Sequence, residues 1–327
     1  MCRLLISLPL WVCRASCFTV TVAAIASIAI VCFLVATAQA QSKVQSWPYM
    51  MSVDVFRVHS DFELTARREL EATLLHLRGD MASLLELGDW RKSIHVVIFQ
   101  NPKEYSRYMQ HYFPTVVQRR AIFLQDRGPG MLFTHWHDQI DVDLRHEAAH
   151  ALLNQSGAEL PLWLDEGLAE YFEVRREDRY AHNPYWIEVA GQAEQALVPS
   201  LLMLERIDDL ARFEEPHYRD SWAWIHFLLH RNQRTRQMLI EFIARAQHKT
   251  PQPPLSRQLS SILSDPMFEF QQHFHAMKQQ AQDPSTRQHL LAIDTYTDLL
   301  NRQNVVKQAS ASSAITSAQN ANRGVSN

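Results

Sequence analysis

The stretch that most limits how this chain can fold is residues 143–155 (DLRHEAAHALLNQ). Leu144, Ala148, Leu152 and Leu153 recur there at helical spacing, so a half-buried helix is expected. Asp143 can cap its start and Gly157 suits its C-terminal stop. His146 and His150 lie one turn apart on a single face, with Glu147 beside the first. Two imidazoles and a carboxylate on a half-buried helix are costly to desolvate unless something binds them. The competing reading is an exposed helix face that carries two histidines by chance, and the apolar flanks speak against it.

The His-Glu-x-x-His spacing has a chemical reading. Both imidazoles can reach one ion, and Glu147 stands where it can take a proton from a bound water. Neutral imidazole suits zinc, and a catalytic zinc keeps three protein ligands and an open position. A third ligand is needed, and residues 163–172 (WLDEGLAEYF) offer Glu166 and Glu170 on one helix face. Gly167 between them allows close helix approach. The plain alternative for these acids is a solvated face, since Glu173 and Glu177 continue the series.

With the second motif in view, the chain resembles the gluzincin metallopeptidases of the peptidase MA clan. More narrowly, PLWLDEGLAEYF (residues 161–172) looks like the peptidase-MA-like domains, often of unknown function, of exported bacterial proteins. The resemblance spans roughly residues 50–280, with its specific motifs at 146–150 and 161–173. The 16-residue step from His150 to Glu166 is shorter than in thermolysin-like members. The resemblance implies an α+β, zincin-like fold and one zinc held by His146, His150 and Glu166. It implies Glu147 as general base and Glu170 as the hydrogen-bond partner of a ligand imidazole. It also implies Tyr218, just before an apolar helix, as a donor to the oxyanion, with His217 as the competitor. His226 and His230 are four apart but lack the intervening glutamate, and read as core or surface histidines. Trp222, Trp224 and Phe227 read as core, and His135 and His137 could border a cleft.

Composition narrows the classes further. Of 327 residues, 46% are hydrophobic, which excludes wholesale disorder. Lys plus Arg minus Asp plus Glu is 32 − 35 = −3, so no global field favours nucleic acid. All four cysteines (Cys2, Cys13, Cys17, Cys32) precede residue 41, so the body has no disulfide, thiolate metal site or cysteine nucleophile. Arg3 and Arg14, the apolar run 18–38 and Ala38-Gln39-Ala40 describe a secretory signal cut before Gln41. The rival is an uncleaved membrane anchor, the run being long enough to span a bilayer. Either way an exported body, periplasmic or secreted, is expected.

The expected domains are a signal or anchor (1–40), a zincin-like peptidase domain (41–282), a helical extension (283–307) and a disordered tail (308–327). Strands are expected at 51–58, 94–99, 121–124 and 131–134. Helices are expected at about 61–87, 103–112, 143–155, 161–173, 221–230, 235–246 and 266–280, with 250–254 a linker. The leading expectation is an exported zinc peptidase acting on peptides or proteins. The alternative is a zincin-fold scaffold that holds zinc without turnover, against which the intact Glu147 argues.

Overall fold

The structure, a computed structural model, describes residues 47–282 apart from residue 89. The expected signal segment, C-terminal extension and tail lie outside the described residues. Among the described residues, five strands form one mixed sheet: β1 (Tyr49–Val53), β2 (Phe56–Ser60), β3 (Ile94–Phe99), β4 (Ala121–Leu124) and β5 (Gly130–His135). Their order is β1-β2-β3-β5-β4. β2, β3 and β5 run parallel, and β1 and β4 close the two edges antiparallel.

The central strands are apolar throughout because both sheet faces are covered. Val96, Ile98 and Leu132 join the main core on one face. Val97, Phe99 and Phe133 pack on the other against Tyr105 and Met109 of α2 (Pro102–Tyr112). Asn101 caps α2 by accepting from the Lys103 and Glu104 amides, with Pro102 preset at the first helical position. On the main face lie α1 (Arg67–Leu85) and α3 (Ile140–Gln155), which pack together. The elements that follow among the described residues are helical: α4 (Leu162–Glu173), α5 (Arg176–Arg179), α6 (Trp186–Glu194), α7 (Leu201–Leu204), α8 (Glu215–His230), α9 (Gln233–Gln247), α10 (Leu255–Ile262) and α11 (Pro266–Gln282). The chain is therefore α+β, with the helices that matter for the site stacked in the order α3, α4, α8.

That stack depends on one glycine. A Cβ on Gly167 would lie 2.8 Å from the Ser221 carbonyl oxygen and 2.9 Å from Ile225 Cγ1, so α4 and α8 approach as closely as backbone allows. The expected close approach at Gly167 is present, and its partner is α8.

Several expectations change. The single strand at 51–58 is a hairpin: Val53 pairs with Phe56, and Asp54 turns the chain at φ 52°, which aspartate tolerates. The first helix starts at Arg67, because Asp61 is engaged across the sheet by the Gln100 amide. Helix α3 begins three residues before Asp143, anchored by buried Ile140, and Asp143 instead binds Arg120 from within the first turn. Gly157, at φ 81°, does follow the C-terminal end of α3. The segment 250–254 is a bend within the body, since Leu255, Leu259, Phe270 and Phe274 beyond it belong to the main core.

Candidate metal centre

Helix α3 is buried along most of its length, and its apolar residues Leu144, Ala148 and Leu152 are fully inside. Its polar face, His146 and His150, is met by the largely buried α4, which brings Asp165, Glu166, Glu170 and Glu173 against it. Each imidazole is held at Nδ1 by a carboxylate: His146 by Glu173 Oε2 at 3.0 Å, His150 by Asp165 Oδ2 at 2.8 Å. Those contacts fix both rings as Nδ1–H donors and turn both Nε2 atoms to one point. The Nε2 atoms are 3.2 Å apart, and Glu166 Oε2 lies 3.7 Å from that of His146 and 3.5 Å from that of His150.

These separations test whether the donors suit a metal. Zinc–ligand bonds of about 2.0–2.1 Å at tetrahedral angles put neighbouring ligand atoms roughly 3.3 Å apart. The three distances fit that figure. Glu166 Oε2 is buried without a hydrogen-bond partner among the described residues, which a buried carboxylate oxygen rarely tolerates. The set of two imidazole nitrogens and one carboxylate oxygen could therefore hold a metal ion.

The electrostatics point the same way. Burial opposes charge on His146, but the Glu166 and Glu173 carboxylates outweigh it and its pKa rises to about 10. His150 is raised in the same sense against burial, by Asp165 and Glu166. Burial would raise the Glu166 carboxyl, yet the two histidines hold it well below the usual carboxylate range. The pull these acids exert on protons is the pull they would exert on a cation. Glu170 differs. Burial and the charge of Glu173 push it up to about 8, with Tyr185 as its hydrogen-bond partner.

The outer ring around the imidazoles therefore departs from expectation. Glu170 Oε1 stands 4.0 Å from His146 Nδ1, while Glu173 makes the 3.0 Å bond. Glu173, read from sequence as part of a solvated face, is seven residues after Glu166 and so lies on the same face at the end of α4. Asp165, which sequence reasoning did not single out, adjoins Glu166 and reaches His150 instead. Its position one residue before a candidate ligand was the available signal. His146, Glu170 and Glu173 also form a second acidic grouping, around the other nitrogen of the same ring.

Glu147 is nearly buried, and its Oε2 accepts from the Phe123 amide of β4 at 2.6 Å. Tyr218 sits in the first turn of α8, half-buried and edge-on to Phe213. Its phenol pKa is raised, by burial first and then by the charge of Glu166, against a lowering effect of the Arg119 guanidinium. Its neighbour His217 is spent on the helix start: its Nδ1 accepts from the Glu214 amide at 2.9 Å while the Glu214 side chain accepts from the His217 amide. His226 is fully buried, bonded to His273 and to the Tyr180 carbonyl, and burial pushes its pKa down to about 4. His230 meets the Tyr171 hydroxyl at 2.8 Å. Trp222, Trp224 and Phe227 are core. His135 packs on Tyr105 and His137 reaches Asp143, so neither joins the ligand atoms.

Two hollows flank the centre. One of about 850 Å³ opens on the His150 side and has apolar walls, including Val117, Ile122, Leu124, Leu160 and Leu210. The other, of about 500 Å³, opens on the His146 side and is polar, with Asp143, Glu170, Glu173 and Tyr185. Arg119 and Glu147 line both. A third cavity, about 800 Å³ between α1 and α3, contains none of the ligand atoms; buried Asp80, paired with Arg176 and Arg179, lies in its wall. Residues 142–253 match the family model described as a protein of unknown function (DUF1570), a span that includes His146, His150, Glu166 and Tyr218. No curated protein matches the chain.

Proposed function

We propose that the chain is an exported zinc-dependent peptidase with a zincin-like arrangement, hydrolysing peptide bonds in peptides or proteins. The observation that carries this reading is the convergence of His146 Nε2, His150 Nε2 and the otherwise unpartnered Glu166 Oε2 beside Glu147. His146, His150 and Glu166 would hold the ion. Zinc, when bound, would supply a Lewis acid that acidifies water and polarises a carbonyl.

The chain's own residues account for the rest. Glu147 keeps one carboxylate oxygen on the Phe123 amide, which fixes its orientation and leaves the other for a water proton. As general base it takes that proton and then passes it to the leaving amine. Tyr218 can donate to the oxyanion of the tetrahedral intermediate, while His217 is occupied in capping α8. Strand β4 is a sheet edge beside Glu147, and its open side suits an extended peptide laid along it. The resemblance to gluzincins implies the roles of His146, His150, Glu166 and Glu147, and a downstream donor at Tyr218 or His217. The first 40 residues would direct export, with membrane attachment through that segment alone if it stays uncleaved.

The test is incubation of the full chain with a peptide library, with and without chelator, alongside Glu147→Gln. Chelator-sensitive cleavage that Glu147→Gln lacks is expected. Zinc binding with no cleavage of any peptide would favour the silent scaffold.

A further inference from the structure

The proposed reaction builds negative charge in a site already rich in acids: Asp143, Glu147, Glu166, Glu170 and Glu173 all border the two hollows. Two described cations border them too. Arg120 is committed, donating to both oxygens of Asp143 at 2.6 and 2.5 Å and to Gln139. Arg119 is paired with no carboxylate among the described residues, and its side chain is exposed. Its backbone is pinned, since the Tyr105 hydroxyl donates to the Arg119 carbonyl at 2.8 Å. Only Arg119 and Glu147 are shared by both hollows, so both stand where the hollows meet beside the ligand atoms.

The Arg119 guanidinium also lies within hydrogen-bonding reach of the Tyr218 hydroxyl. A guanidinium has donors and no acceptor. Toward Tyr218 it can only donate, which leaves the phenolic O–H free to point elsewhere. Five N–H groups on a planar fork can serve the phenol oxygen and a second oxygen at once.

Resting on the peptidase reading above, we propose that Arg119 is a further catalytic residue: its guanidinium meets the developing oxyanion together with the Tyr218 hydroxyl. No proton leaves Arg119; it supplies charge and hydrogen bonds that strengthen as the carbonyl oxygen becomes anionic. The competing role for an unpaired cation in a peptide cleft is anchoring the substrate's terminal carboxylate, and the two differ in what they perturb.

The experiment compares the full-length, zinc-loaded wild type with Arg119→Met, Arg119→Lys, Tyr218→Phe and the Arg119→Met/Tyr218→Phe pair. For a peptide with an amidated C-terminus, Arg119→Met should lower kcat about 10²–10³-fold with KM nearly unchanged. Arg119→Lys should recover part of the loss, and the paired variant should lose less than the product of the single effects. Calorimetric binding of a phosphinic peptide, a tetrahedral anion, should weaken in parallel with kcat. A rise in KM confined to peptides with a free C-terminus, at unchanged kcat, would make Arg119 a carboxylate anchor and overturn the proposal. If the wild type neither cleaves peptides nor binds the phosphinic peptide, the peptidase reading itself has failed, and the proposal with it. The facing of Arg119 and Tyr218 is then read separately, from the ring-carbon NMR signal of Tyr218 in metal-free protein. Arg119→Met should raise its titration midpoint; an unchanged midpoint would remove the geometric basis as well.

Discussion

Replacing Gly167 by alanine asks how tightly α4 and α8 are held together. The added methyl would lie 2.8 Å from the Ser221 carbonyl oxygen and 2.9 Å from both the Ser221 carbonyl carbon and Ile225 Cγ1. Two of those atoms are backbone and cannot rotate aside. Carbon contacts settle at about 3.5 Å or more, so the helices must part by roughly 0.6 Å. Overpacking of this kind costs about 1–3 kcal/mol, and alanine's better helix propensity offsets about 1 kcal/mol of it. The net loss should be about 0–2 kcal/mol, or a fall in Tm of up to about 8 °C for a body of this size. Gly191 in α6 is the control, because a Cβ there meets nothing within 4 Å. Gly191→Ala should stabilise by about 0.5–1 kcal/mol. Thermal and urea unfolding of the full chain in chelator keeps metal binding out of the comparison. If Gly167→Ala were as stable as Gly191→Ala, the α4–α8 packing described here would be wrong. The parting should also weaken metal binding, since Glu166 adjoins Gly167.

Other perturbations address the site. Glu147→Gln should retain metal and lose hydrolysis, checked by elemental analysis and peptide turnover, because the amide keeps the shape but cannot take a proton. Glu173→Gln should weaken metal binding about 10–100-fold and Glu170→Gln much less, read by competition with a chromogenic chelator, since Glu173 holds the His146 ring. The buried His226 contributes a pH dependence. Its folded pKa of about 4 lies below the unfolded value of 6.5, so below pH 6.5 the unfolded state binds the extra proton. Stability from this group should fall as pH drops from 6.5 towards 4, by roughly 3 kcal/mol at about 1.4 kcal/mol per unit, and level off below. The difference in unfolding free energy between wild type and His226→Gln across that range should carry this slope.

Much of the centre is readable in the sequence because it rests on local spacing. His146, Glu147 and His150 need only one helical turn, and Glu166 needs the start of the next helix. What surrounds them is set by how α3 and α4 face each other, which spacing does not give. Hence Glu173 rather than Glu170 holds His146, and Asp165 reaches His150. Arg119 lies in an irregular stretch before β4, with no periodic pattern to mark it. In the fold, the runs 94–99, 121–124 and 130–135 are apolar enough to declare strands. The hairpin at Asp54 hides inside a continuous alternating run that lacks the usual glycine or asparagine signal. Helices α6, α7 and α10 are short, and α6 packs chiefly against α11, which is distant in sequence.

The central claim is that His146, His150 and Glu166 together hold one metal ion. Elemental analysis of the purified full chain, after removal of loosely bound metal, tests it most directly. The wild type should carry about one zinc per chain, and His146→Ala and Glu166→Ala should carry little, with lower melting temperatures that added zinc does not restore. A wild type free of zinc after incubation with it, and no more stable than His146→Ala, would contradict the account.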